Sequence, residues 1–148
     1  MKARAAPGSR IELRVRYAET DQMGRAHHMQ FLAWFELGRT ELLRGTGTAY
    51  ADLEKRGVML PVTDVDVRYL HGAGYDELVE IVTGVTDVRS RTVTFSYRAL
   101  RAVDGTVLAT GSTRLMCTGL TGRPMRIPPD VARTLRSLMP RSAGGASP

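Results

Sequence analysis

The chain has 148 residues, with 21 Lys and Arg against 15 Asp and Glu, a formal charge of +6. A composition that is 43% hydrophobic and 24% charged belongs to a globular chain, not a fibrous or disordered one. The length fits one domain, burying roughly 70% of its unfolded surface. One cysteine, Cys117, excludes an intrachain disulfide framework, and no apolar run approaches the ~20 residues of a membrane helix. The basic start, Met1 to Arg10, is not followed by the apolar stretch of a secretory signal. A soluble, cytoplasmic protein with no membrane insertion is expected.

The charge invites a nucleic-acid reading, but its distribution weakens it. Residues 1–16 and residues 123–148 each hold five basic residues and one acid, whereas the centre is slightly acidic. No helix-turn-helix, RNA-binding aromatic motif or continuous basic face is present. Solubility and solvated ends explain the excess, and no nucleic-acid partner is expected.

In chain order, Ile11, Leu13, Val15 and Tyr17 alternate with polar residues, the pattern of a half-buried strand. A polar loop, ETDQMGRAHH, follows. From about His28 to Arg44 the period changes: Phe31, Phe35, Gly38 and Leu42 fall at helical spacing, widened by Leu32, Trp34 and Leu43. This predicts a long, largely buried helix ended by Gly45 and Gly47. A short second helix is predicted over 48–56, stopped by Gly57. Strands are predicted over 59–70, 77–88, 91–103 and 106–118, with Asp104–Gly105 a hairpin turn and His71 to Gly74 a longer one. A last helix starts at Pro128–Pro129 and carries Val131, Leu135 and Leu138 on one face. One sheet and one apolar helix must bury each other, which predicts an α+β hot-dog fold with the sheet wrapped around the helix. The domain is expected over 10–139, with a flexible start at 1–9 and a disordered tail at 140–148.

The loop between the first strand and the long helix carries the chemistry candidates. Asp21 in this loop would stand near the helix N-terminus, where backbone N–H groups are free and the dipole is positive. Such N–H groups polarise a carbonyl oxygen while a carboxylate attacks the carbon or activates water. Gly24 permits the tight loop. The alternative is that Asp21 only caps a turn or the helix. The His28 side chain either contacts substrate or braces the loop. His27 and His28 are poorly spaced as a metal pair, and no metal is expected. His71 reads as an exposed turn residue. Cys117 lacks the partners of a nucleophile. Glu36 is a reserve carboxylate, with a helix salt link to Arg39 or Arg44 as its simpler role.

The run VRYAETDQMGRAHHMQFLAWFELGRTELLR resembles the signature of the 4-hydroxybenzoyl-CoA thioesterase-like family, the short hot-dog acyl-CoA thioesterases. The likeness rests on Tyr17, Glu19, Thr20, Asp21, Gly24, His28, Phe35, Glu36, Gly38, Arg39, Thr40 and Glu41, with LPVTDVDVRYL and GRPMRIP further on. The resemblance implies hydrolysis of an acyl-CoA, with CoA part of the substrate and no separate cofactor. Asp21 would be the catalytic carboxylate, as nucleophile or as base for water, and the backbone N–H at His28 the oxyanion donor. A non-catalytic acyl-CoA-binding module is the alternative. Arg89, Ser90 and Arg91, in a turn between strands, are the candidates for holding the CoA phosphates, since Arg recognises phosphate bidentately. The family also implies a homodimer, or a dimer of dimers making a homotetramer. Two departures stand out. Gly72-Ala73-Gly74-Tyr75-Asp76 replaces Pro-Ala-Arg-Tyr-Asp, predicting a looser turn, and Met29, Gln30 and Phe31 replace the family's usual residues after the His, near the acyl pocket.

Overall fold

The computed structural model describes residues 9–141. The ends expected to be loose, 1–9 and 140–148, lie mostly outside the described residues. Ser9 is an exception: it pairs with Thr83 in the first strand. The elements are β1 (Ser9–Arg14), α1 (His28–Gly45), α2 (Tyr50–Lys55), β2 (Val62–Tyr69), β3 (Leu78–Val88), β4 (Thr92–Arg101), β5 (Val107–Met116) and α3 (Pro129–Ser137). The strands form one antiparallel sheet in the order β1-β3-β4-β5-β2. Helix α1 packs across β1, β3 and β4. This is the expected α+β hot-dog arrangement.

Alternation explains the inner face. Val79, Ile81, Thr83 and Val85 of β3 and Val93, Phe95, Tyr97 and Ala99 of β4 are buried, and successive side chains in a strand point to opposite faces. Helix α1 answers with Phe31, Trp34, Phe35, Gly38, Leu42 and Leu43. Leu32, expected to widen that face, is exposed, so α1 buries a stripe and leaves the rest of its perimeter open. Two glycines set how deep α1 lies. A Cβ on Gly38 would stand 2.3 Å from Thr83 Oγ1, and one on Gly111 2.8 Å from the Phe35 ring.

The first strand ends earlier than its alternation predicts. After Arg14 the chain bends into a single 3₁₀ turn at Tyr17–Glu19. Tyr17 then points outward at 78% exposure, and Glu19 takes the inward position. The turn at Asp104–Gly105 forms as expected, with Gly105 at φ +73° and Asp104 Oδ1 accepting the Thr106 N–H at 2.9 Å. Strand β2 departs from the half-buried pattern of its neighbours: apart from Val67 it is exposed along its whole length, on both faces.

Tyr50, at the start of α2, lies against Arg39 of α1. Burial pushes its phenol up to about 12, with the Arg39 guanidinium pulling the other way. The folded-state pKa lies above the unfolded value near ~10, so the contribution is complete below pH 10 and is lost as pH rises toward 12. At pH 11 urea unfolding should show about 1 kcal/mol less stability from this group than at pH 8. Tyr50→Phe should remove that part of the decline; an unchanged decline would contradict the assignment.

Candidate active site

The loop after the 3₁₀ turn folds back on itself as a small hairpin. Thr20 bridges Ala26, the Asp21 N–H donates to the Arg25 carbonyl at 2.9 Å, and the Gly24 N–H donates to the Asp21 carbonyl at 3.0 Å. Gly24 takes φ +75°, a left-handed conformation that side chains other than Gly rarely adopt. Asp21 Oδ1 accepts the Met23 N–H at 2.9 Å. The turn-capping role considered for Asp21 is therefore present, and it engages one carboxylate oxygen.

Helix α1 begins directly after this hairpin, with His27 as its N-cap: His27 Nδ1 accepts the Met29 N–H at 3.2 Å, and the His27 carbonyl accepts the Gln30 N–H at 2.9 Å. The His28 N–H, at the first helical position, has no backbone acceptor among the described residues. First-turn N–H groups lack intrahelical partners, and here one is left at the end of an 18-residue helix. Tyr69, at the end of β2, donates its hydroxyl to the His28 carbonyl at 2.8 Å and sets its ring edge-on to Phe31.

The turn after β2 closes the site. The Ala26 N–H donates to the Ala73 carbonyl at 2.7 Å, and Arg25 bridges Gly74. Glu77 accepts from Arg101 Nε at 2.8 Å and from the Gly74 N–H, while Arg101 Nη2 donates to the Gly72 carbonyl at 3.2 Å. The looser turn expected from the missing Pro is thus not what forms: hydrogen bonds from the Asp21 loop and from Arg101 hold it, and Ala73 is fully buried. Gly72 has a specific use, since a Cβ there would fall 2.4 Å from Arg25 Cδ. The Arg25 side chain lies on the glycine.

Together these segments enclose a cleft of about 300 Å³ lined by Asp21, Arg25, His28, Phe31, Tyr69 and His71 among others. Asp21 and His28, proposed from sequence, meet in it. His71, read as an exposed turn residue, is exposed and also lines it, as do Arg25 and Tyr69. Those three come together through the packing of the 71–77 turn on the loop, a contact that local sequence does not encode.

The remaining candidates lie elsewhere. Arg89, Ser90 and Arg91 form the β3–β4 turn, where Arg89 Nε pairs with Asp87 at 3.0 Å. That turn is at the far end of the 11-residue β3 from the Asp21 cleft, about 35 Å along the strand. Glu36 lines a second cleft of about 580 Å³ beside Arg39, Tyr50 and Glu54, apart from Asp21. The salt link on α1 is Glu41 to Arg44 at 3.1 Å, not one from Glu36. Cys117 is fully buried and burial pushes its thiol up, which disfavours the thiolate. Among the described residues no group of three or more His, Cys, Asp or Glu stands close enough to hold a metal.

A family model described as the thioesterase-like superfamily matches residues 15–135. The chain belongs to that superfamily. It is 40% identical over 89 residues to the putative acyl-CoA thioesterase YneP of Bacillus subtilis, a match spanning 60% of this chain and 64% of that protein. Among solved structures, a hypothetical protein from Thermus thermophilus superposes with a TM-score of 0.83 at 38% identity, over 88% of this chain and 98% of that one. A DHNA-CoA thioesterase from Staphylococcus aureus superposes with a TM-score of 0.82 at 34% identity, over 87% and 89% of the two chains. The matched span contains the Asp21 hairpin, α1 and the 71–77 turn.

Proposed function

We propose that this chain hydrolyses the thioester of an acyl-CoA to the free acid and CoA, with CoA entering as part of the substrate. One observation carries the reading: Asp21 and the start of α1 line the same cleft. Two routes fit the chemistry. In one, an Asp21 oxygen bonds to the thioester carbon, the carbon–sulfur bond breaks, CoA leaves as thiolate, and water hydrolyses the resulting anhydride. In the other, Asp21 takes a proton from water as that water adds to the carbon. In both, negative charge gathers on the carbonyl oxygen, where the His28 N–H at the start of α1 meets it. A thiol of pKa about 8.5 departs as thiolate with no strong general acid. The His28 ring, at the edge of the cleft, is assigned to substrate contact, and Gly24 to holding the hairpin that presents Asp21.

Asp21→Asn keeps an acceptor for the Met23 N–H and so leaves the hairpin intact. It should lower kcat/KM by about 10²–10⁴ across short, long and aryl acyl-CoAs, read by release of free thiol. Full turnover in both Asp21→Asn and Asp21→Ala would sink the assignment. Tight acyl-CoA binding by the wild type with no turnover would instead establish the binding-module alternative.

The same reading extends to a homodimer or a dimer of dimers. Exposed edge strands with apolar residues invite pairing, and β2 is such an edge, with Val62, Val65 and Tyr69 at 40%, 50% and 44% exposure. Antiparallel pairing of two β2 edges about a two-fold axis would place one subunit's β3–β4 turn on the same side as the other's Asp21 cleft. Arg89, Ser90 and Arg91 would then serve CoA phosphates across the subunit boundary. Sedimentation at micromolar concentration should give a dimer or tetramer. Replacing Arg89 and Arg91 together by Gln should raise KM about 10-fold for an acyl-CoA but not for the matching acyl-pantetheine, which lacks the nucleotide phosphates. A monomer, or equal effects on the two esters, would contradict this arrangement.

A further inference from the structure

Glu19 is an acidic residue buried to 6% exposure, immediately before the Asp21 hairpin. Acidic side chains are seldom fully buried without partners, and the proposed chemistry gives this one no role. Its partners are specific. Oε2 accepts the indole N–H of Trp34 at 2.9 Å, and Oε1 accepts the Arg16 backbone N–H at 2.8 Å, with Arg16 Nε at 3.5 Å. The Glu19 carbonyl accepts the N–H of His27, the N-cap of α1, at 2.8 Å. One residue therefore grips α1 at its cap and again at Trp34, about 10 Å along the axis. The next residue but one is Asp21.

Trp34 is itself tied to the site. Its ring lies 4.7 Å from that of Phe31, which meets Tyr69 edge-on at 5.4 Å, and Tyr69 bonds the His28 carbonyl. The Glu19 carbonyl at His27 and the Tyr69 hydroxyl at His28 thus both hold the helix start, while the Glu19 carboxylate holds Trp34.

We propose that Glu19 is the positioning residue that fixes Asp21 against the first turn of α1. It acts through Trp34 and the His27 N–H without touching substrate. The functional part of this inference rests on the thioesterase reading above. A carboxylate is required because both donors that reach the side chain need an acceptor. Glutamine offers one acceptor and one amide donor, so one of the two N–H groups would face another donor. A carboxylate held this way leaves the hairpin a single position relative to the helix. A displacement of about 1 Å at a reacting group is enough to cost on the order of 10²-fold in rate.

The test uses Glu19→Gln, Trp34→Phe and the double variant in the full chain. If Glu19 positions Asp21, each single variant should keep a cooperative thermal transition and a KM within a few-fold of wild type. Each should lose about 10- to 100-fold in kcat, and the double variant should lose no more than the worse single one. Trp34 is the chain's one tryptophan, so the emission of Glu19→Gln reports the broken contact independently of activity. Amide exchange should quicken at residues 20–28 in Glu19→Gln while β3 and β4 stay protected. Unchanged kcat in a folded variant with shifted emission would overturn the positioning role. Faster exchange across the whole sheet would show Glu19 to be a general stabiliser and overturn it too. Should the wild type hydrolyse no acyl-CoA, the activity reading fails by itself, while emission and exchange still decide whether Glu19 holds the hairpin to α1.

Discussion

The arrangement depends on how closely α1 lies on the sheet. Gly38 meets Thr83 and Phe35 meets Gly111 with no room for an added carbon. That contact fixes the helix in depth and rotation, because a packed interior resists even one extra methylene. Once the body of α1 is fixed, the position of its first turn follows. The His28 N–H there becomes a stationary partner for whatever the preceding hairpin presents. What it presents is Asp21, and the 71–77 turn, tied through Ala73 and Arg101, closes the cleft from the third side.

The fold was legible because its signals are local and periodic. Alternation in β3 and β4, the helical spacing of Phe31, Phe35, Gly38 and Leu42, and the Asp104–Gly105 turn each state an element in a short window. The strand that missed its predicted end did so for a local reason. Tyr17 continues the alternation by residue type, but the turn-capping contacts of Glu19 bend the chain first. The double exposure of β2 could not be read, since its Val65 and Val67 look like those of any half-buried strand.

The site was legible only in part. Asp21, Gly24 and His28 lie within eight residues and needed only a strand–loop–helix reading. His71 and Tyr69 join them through contacts between segments more than 40 residues apart, and no pattern along the chain encodes that. The indole–carboxylate bond between Trp34 and Glu19 is hidden for a different reason: a Trp at a buried helical position is explained by packing alone. The charge that first suggested nucleic acid has a different use in the proposed scheme. There, Arg89 and Arg91 would meet the phosphates of one CoA substrate across a subunit boundary.

In the proposed mechanism the start of α1 polarises the thioester carbonyl that Asp21 acts upon. Isotope-edited infrared spectroscopy tests this most directly, on an acyl-CoA labelled with carbon-13 at the thioester carbonyl and bound to Asp21→Asn. Donors preorganised for the developing oxyanion should already draw charge onto the carbonyl oxygen of the bound ester. The carbonyl stretch should move below its value for the free ester in buffer. A stretch at or above that value, in a saturated complex, would contradict it.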